Sequence, residues 1–306
     1  MTAVYPEAVP DRARKITDSV LGGPMLDEAE LTAGATIRPG TTYGFFTDTT
    51  LCIGCKACEV ACKEWNALPA DNIGLTGRSY DNTSQLSATT WRHVAFIEQQ
   101  NDANGRPIGM PPFQSNWLMM SDVCKHCERA GCLEACPTGA LFRTEFGTVV
   151  VQQDICNGCG YCVPACPFGV VELDLHDGKA HKCTLCYDRL KGGLEPACAK
   201  ACPTNSIQFA PLADLHARAR ERVTDLRRQG VDNAYLYGVD GGPGTTGGIG
   251  DLRAFFLLTD RPEVYNLPSA PTLPAMRVAP GLAAGLATMA GFALAAVTIF
   301  MRGRRG

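Results

Sequence analysis

Hydrophobic residues come along this chain in short bursts broken by polar loops, until one long apolar block near its end. The first burst, Tyr43-Gly44-Phe45-Phe46-Thr47-Asp48, predicts a short strand. Residues 91–98 predict a second, with Val94 and Phe96 on one side and Ala95 and Ile97 on the other, and residues 116–120 a third. Asn101-Asp102-Ala103-Asn104-Gly105 between them has turn chemistry, so the pair reads as a hairpin. Three further bursts, Ala140-Leu141-Phe142, Val170-Val171-Glu172-Leu173 and Ser206-Ile207-Gln208-Phe209, each come shortly after a Cys-Pro pair. Loop, one-turn helix and strand thus recur as an internal repeat. Residues 211–229 have helical spacing: Pro211 suits a first turn, Leu212, Leu215, Ala219, Val223 and Leu226 share a face, and Gly230 is a stop. The arginines of that segment (Arg218, Arg220, Arg222, Arg227, Arg228) are expected to form a solvated face. The glycine-rich residues 238–250 lack the strand–turn–helix setting of a phosphate loop and read as a flexible connection, with a strand at 254–258.

Residues 278–301 contain no charged side chain. At about 1.5 Å per residue such a helix crosses the roughly 30 Å hydrocarbon core of a bilayer. Pro268, Pro271 and Pro274 precede it and Arg302, Arg304 and Arg305 follow it, which sets it apart from a buried soluble helix. Gly281 and Gly285, then Ala287 and Gly291, stand four apart, a spacing that lets another membrane helix approach. The terminal arginines favour a cytoplasmic C-terminus, although Arg277 on the other flank reduces the asymmetry. The globular part would then face outward on a single-pass anchor. Near the N-terminus Arg12 and Arg14 are not adjacent and no apolar stretch of signal length follows. The expectation is that the folded chain crosses the membrane with a partner that bears the export signal.

Composition changes the picture through cysteine. All 16 cysteines fall into four quartets: Cys52, Cys55, Cys58 and Cys62; Cys124, Cys127, Cys132 and Cys136; Cys156, Cys159, Cys162 and Cys166; Cys183, Cys186, Cys198 and Cys202. Clustered C-x2-C pairs have metal-ligand spacing, whereas small disulfide scaffolds normally carry a secretion signal. The third quartet reads C-x2-C-x2-C-x3-C-P, the run that wraps an iron–sulfur cubane and sends its fourth thiolate to a neighbouring cluster. Gly158 and Gly160 let that loop curl around a cluster, and the proline stops the short helix. The second quartet has a larger bend between Cys127 and Cys132, and the fourth an insertion between Cys186 and Cys198. Lys63 follows Cys62 where the other quartets have proline, so the first helix is expected to run on through Glu64 and Trp65. Structural zinc is the competing assignment, because it too takes four thiolates. His126 lies inside a complete thiolate set and is expected to be exposed, or hydrogen-bonded near the site, rather than a ligand. Lys56, Lys125, Lys182 and Lys200 stand beside cysteines and are either potential-raising cations or plain surface charges. A net charge of -3 gives no sign of a nucleic-acid partner.

With the quartets in hand, the chain resembles the four-cluster iron–sulfur β subunits of membrane-bound molybdenum or tungsten oxidoreductases. Within them it is most similar to the respiratory formate dehydrogenase β subunits. Cys52-Ile53-Gly54-Cys55-Lys56-Ala57-Cys58 with Glu64-Trp65-Asn66 carries the likeness, as do Tyr80-Asp81-Asn82 with Leu86-Ser87-Ala88 and Trp91. So do Lys182-Cys183-Thr184-Leu185-Cys186 and Glu195-Pro196-Ala197-Cys198. The resemblance implies an α+β fold of duplicated ferredoxin-like 2×[4Fe–4S] units with loop insertions and a C-terminal transmembrane helix. The chain is expected to divide into an arm at 1–42, which adds nothing to the resemblance, a four-cluster domain at 43–210, a helix and extended linker region at 211–277, the span at 278–301 and a basic tail at 302–306. The resemblance implies four [4Fe–4S] clusters with exchanged ligands. Cys52, Cys55 and Cys58 pair with Cys202; Cys183, Cys186 and Cys198 with Cys62; Cys124, Cys127 and Cys132 with Cys166; Cys156, Cys159 and Cys162 with Cys136. It also implies a molybdopterin-containing catalytic subunit, a membrane cytochrome b and the lipid bilayer as partners. Polysulfide, thiosulfate, dimethyl sulfoxide and nitrate reductases use an equivalent part. No catalytic residue is expected on this chain.

Overall fold

A computed structural model describes residues 37–70, 74, 75, 77, 80–99 and 116–304. The arm expected at 1–42 lies outside the described residues as far as residue 36, and so does the turn at 101–105. Every quartet is entered from one strand and left by another. Strand β1 (Tyr43–Asp48) leads into the first quartet, and helix α1 (Ala57–Asn66) carries Cys58 and Cys62. β2 (Arg92–Gln99) then pairs antiparallel with β3 (Asn116–Val123), which leads into the second quartet. β4 (Leu141–Arg143), after that quartet, pairs with β5 (Val149–Val151), before the third. β6 (Glu172–Leu173) pairs likewise with β7 (Ala180–His181), before the fourth. β8 (Ile207–Pro211), after the fourth quartet, returns to pair with β1, Phe45 opposite Phe209. Four antiparallel strand pairs therefore join the quartets in a closed ring, bringing the first and last quartets together.

The cysteine helices are short where proline follows. α2 (Gly131–Glu134), α3 (Cys162–Ala165) and α5 (Ala197–Lys200) each have 4 residues, and α4 (Tyr187–Lys191) lies in the fourth-quartet insertion. Pro137, Pro167 and Pro203 cannot donate the next ladder hydrogen bond, and they push the residue before them out of helical geometry. α1, with Lys63 in the equivalent place, extends to 10 residues. Trp65 lies on this extension, its indole N–H 2.7 Å from Asp188 of α4 and its ring under the Arg189 guanidinium.

Residues 211–277, expected as a helix and an extended linker region with a strand at 254–258, also complete a sheet. β10 (Ala254–Leu258) lies parallel to β1, in a sheet of order β8-β1-β10-β9, where β9 is Tyr235–Tyr237. Every residue of β1 and β10 is buried, and Phe46 stacks on Phe255 at 5.3 Å between centroids. The first strand of the cluster region thus finishes its hydrogen bonding only when the late segment arrives. α6 (Leu212–Arg228) covers this sheet with Leu215, Ala219, Val223 and Leu226, the face that its spacing predicts. Its arginine face is only partly solvated: Arg222 pairs with buried Asp48 at 2.8 Å and Arg220 with Asp240 at 2.6 Å.

The glycine-rich stretch is not a loose connection either. Ile249 and Leu252 are fully buried, and the backbone N–H groups of Glu128 and Arg129 donate to the carbonyls of Asp251 and Ile249. The stretch therefore clamps the second cysteine loop. α7 (Val278–Gly303) is exposed at every residue described, as an apolar helix made for lipid would be.

The second and third cysteine loops touch at Gly131. A Cβ there would lie 2.4 Å from the backbone oxygen of Ala165, closer than van der Waals contact allows. Gly131→Val is expected to destabilise the fold by about 1–3 kcal/mol, the range for overpacking. It should disturb first the spectra of the clusters that the resemblance implies at these two loops. Unchanged thermal melting and EPR spectra would show that the loops do not pack this tightly.

Candidate metal centres

The sixteen cysteines converge in four sets drawn from different quartets. Cys52, Cys55, Cys58 and Cys202 line one cavity, together with Ser121 and Ile207. Cys124, Cys127, Cys132 and Cys166 line another, with Lys125 and His126. Cys62 lies within electrostatic reach of Cys183, Cys198 and Cys186. Cys162 lies within such reach of Cys156, Cys159 and Cys136. In each set the outlying fourth thiol comes from a partner quartet: Cys62 from the long α1, and Cys136, Cys166 and Cys202 from just beyond the one-turn helices.

The sets stand in a row. Cys162 lies within electrostatic reach of Cys132, Cys124 of Cys183, and Cys198 of Cys58, which links the four sets in sequence. Burial follows the row. Cys159 and Cys55, one in each end set, are exposed, whereas every cysteine of the two middle sets is buried except half-buried Cys166. Large apolar residues are exposed at both ends: Ile53, Val60 and Trp65 beside the first quartet, Ile155 and Tyr161 beside the third.

As thiolates, these donors call for a cation. Burial pushes the thiols of Cys58, Cys132 and Cys186 up to about 12 and that of Cys162 up to about 11. Four buried thiolates are thus stable together only around positive charge. A single zinc ion would draw four sulfurs to about 3.8 Å of one another, given Zn–S bonds of about 2.3 Å. Among the described residues, the trios whose ligand atoms lie within 4.8 Å of one another are Asp174, Asp177, His181 and His216, Asp240, Asp251, neither containing a cysteine. Sulfurs spread around the two cysteine-lined cavities fit a polynuclear iron–sulfur cluster better than one ion.

Polar groups aim at the sulfurs. The Leu185 N–H donates to Cys183 Sγ at 3.3 Å and the Ala180 N–H to Cys156 Sγ at 3.5 Å. The repeat shows in Cys136-Pro137-Thr138 and Cys202-Pro203-Thr204, whose threonine hydroxyls lie 3.6 and 3.8 Å from Sγ. Such contacts to sulfur are a main control on cluster potential.

Of the expected exposure or hydrogen bonding of His126, burial settles the choice. It is 1% exposed, and its Nδ1 accepts the Val149 N–H at 3.1 Å. Burial, with Lys182, Arg253, Arg143 and Arg92 around it, holds the imidazole neutral, so the proton sits on Nε2. Lys125 and Lys182, at 1% and 2% exposure, are not plain surface charges. Lys125 pairs with Asp122 and lies over Phe256, while Lys182 donates to the carbonyls of Val149 and Cys183. Lys56 is half-buried between Glu59 and Asp81, and Lys200 is exposed.

Residue-type patterns missed Arg92. It is 1% exposed, its Nη2 donates to Cys198 Sγ at 3.2 Å, and its guanidinium lies over the Phe45 ring. Burial works against its charge, but the thiolates of Cys198, Cys58, Cys183 and Cys62 more than offset this. One signal was present: Arg92 stands two residues before Val94, on the apolar side of its strand.

Models of the 4Fe-4S dicluster domain match residues 51–140 and 115–212. The formate dehydrogenase-O iron-sulfur subunit of Escherichia coli (strain K12) is 41% identical over 231 residues, covering 74% of this chain and 71% of that one. The formate dehydrogenase iron-sulfur subunit of Haemophilus influenzae is 39% identical over 231 residues, covering 74% and 68%. The B polypeptide of anaerobic dimethyl sulfoxide reductase from Escherichia coli is 34% identical over 178 residues, covering 58% and 78%.

Proposed function

The chain is a member of the family of formate dehydrogenase iron–sulfur subunits, and from that premise we propose that it holds four [4Fe–4S] clusters and connects formate oxidation to the membrane. It is an iron–sulfur electron-transfer subunit with an apolar C-terminal helix able to span a bilayer. Bound at the four cysteine sets, the clusters would supply a row of one-electron carriers between a molybdenum or tungsten catalytic subunit and a quinone-reducing cytochrome b. The observation that carries this reading is the row itself, buried in the middle and open at both ends. The proposed ligand sets are the two that line cavities, Cys52, Cys55, Cys58, Cys202 and Cys124, Cys127, Cys132, Cys166, and the two grouped by electrostatic reach, Cys62, Cys183, Cys186, Cys198 and Cys136, Cys156, Cys159, Cys162.

The fold supports an orientation for the row. Residues 268, 270–272, 274 and 277, which lead into α7, line a groove with Pro164, Ala165 and Pro167 of the third-quartet loop. The set containing Cys159 therefore stands at the membrane end, and the set containing Cys55 toward the catalytic partner. The arginines after α7 support a cytoplasmic C-terminus and an extracytoplasmic globular part. Protection of that part from protease added outside intact cells would reverse the assignment.

The test is to purify the chain without oxygen, with whatever large subunit co-purifies, and to measure formate-dependent quinone reduction. Iron and sulfide for four clusters and turnover with formate are expected. A partner that instead reduces dimethyl sulfoxide would move the chain to the role that name describes in its relative. About four zinc ions and no sulfide would end the reading. Ending the chain after Leu273 is expected to shift it from the membrane to the soluble fraction with its iron and sulfide retained. Retention in washed membranes would show that α7 is not the anchor.

A further inference from the structure

Arg92 opens β2 inside the gap between two cysteine sets, and among the described residues no carboxylate pairs with it. Its reach is two-sided. Nη2 donates to Cys198 Sγ at 3.2 Å, on the set of Cys62, Cys183, Cys186 and Cys198. Nη1 donates to the carbonyl and hydroxyl oxygens of Ser121, each at 3.3 Å. The Ser121 hydroxyl in turn lies 3.2 Å from Cys58 Sγ, on the set of Cys52, Cys55, Cys58 and Cys202. The hairpin register makes this bridge: Ser121 stands opposite Val94, diagonal to Arg92.

An arginine stays charged, and a buried charge needs compensation from its neighbours. Here the neighbours that carry negative charge are thiolates of both sets. Each loaded set gains one more negative charge on reduction, so a fixed cation between them favours the reduced form of both. We propose that Arg92 is the shared counter-ion of these two sets, raising the reduction potentials of both clusters together. The inference rests on the reading above that both sets hold [4Fe–4S] clusters. Ser121 is the positioning residue that carries the effect to Cys58.

The experiment is an EPR-monitored redox titration of the cluster-loaded complex carrying Arg92→Gln, Arg92→Lys or Ser121→Ala. Signals are assigned by their loss in Cys55→Ser and Cys186→Ser. In Arg92→Gln both clusters are expected to titrate lower, each by about tenfold in the reduced-to-oxidised ratio, about 59 mV for one electron. The other two clusters should not move, and Arg92→Lys should keep most of the native potentials. Ser121→Ala should lower the Cys55-set cluster alone. A shift in neither cluster or in one only overturns the proposal, and so does a shift of all four. Equal shifts in Arg92→Lys and Arg92→Gln would assign the effect to packing rather than charge. Should Arg92→Gln lose clusters, the other two variants decide, and native potentials in Ser121→Ala overturn the shared role. Iron and sulfide in the unaltered complex separate the two failures: fewer than four clusters defeats the function, whereas four clusters without these shifts defeats Arg92 alone.

Discussion

Cys166→Ser is expected to remove the cluster at Cys124, Cys127 and Cys132, leaving the one that the Cys166 loop itself surrounds. Cys166 is the last residue of a C-x2-C-x2-C-x3-C run, and α3 carries it away from Cys156, Cys159 and Cys162. It lines the cavity of the second quartet, where Cys124 is the thiol whose charge most affects it. An oxygen ligand holds iron in such a cluster poorly compared with a thiolate. The purified variant should therefore lack up to about a quarter of its iron and sulfide, given four clusters of equal size. In the orientation proposed above this set is second from the membrane end, so electron transfer from formate to quinone should collapse while formate still reduces the two clusters on the catalytic side of the break. EPR showing loss confined to the cluster of the third quartet would refute the exchanged ligation.

Stripping the clusters with chelator and oxidant should abolish cooperative folding of the globular part altogether. Its hydrophobic core is built around cysteine: Cys58, Cys124, Cys127, Cys132, Cys162, Cys183 and Cys198 are core residues packed with Phe45, Val149 and Leu185. Arg92 and Lys182 are buried in that core with no carboxylate partner among the described residues. An uncompensated buried charge costs several kcal/mol, against a typical domain stability of about 5–15 kcal/mol. Two such cations and the lost metal–ligand bonds together are of the size of that whole stability. Limited proteolysis should cut the stripped chain within β1 and β10, which are wholly buried in the folded state. A stripped chain that melts cooperatively at the native temperature would show that the apolar sheet folds by itself.

Local chemistry made a large part of this protein legible. Cysteine spacing points to cluster loops because ligand bonds need a few thiolates at fixed short separations. Proline after Cys136, Cys166 and Cys202 limits three cysteine helices to a single turn, and Lys63 lets the first continue. The spacing of Leu215, Ala219, Val223 and Leu226 marks the inner face of α6, and the uncharged block at 278–301 marks α7. Each of these signals lies within a few residues of the structure that it specifies.

Other features depend on contacts between distant segments. No local pattern says that β10 slides beside β1, because a fully buried strand lacks the alternation that would reveal its neighbour. The clamp of residues 249–251 on the second cysteine loop is made by backbone hydrogen bonds, which are blind to side-chain type. Arg92 and His126 look like ordinary polar residues until the fold closes around them. Spacing along the chain thus determined what these loops can bind. The ring of paired strands decided which thiols share a set, in what order the sets stand, and which buried cation lies between them. That division is physical: ligand geometry is short-ranged, whereas burial and charge compensation exist only once remote segments meet.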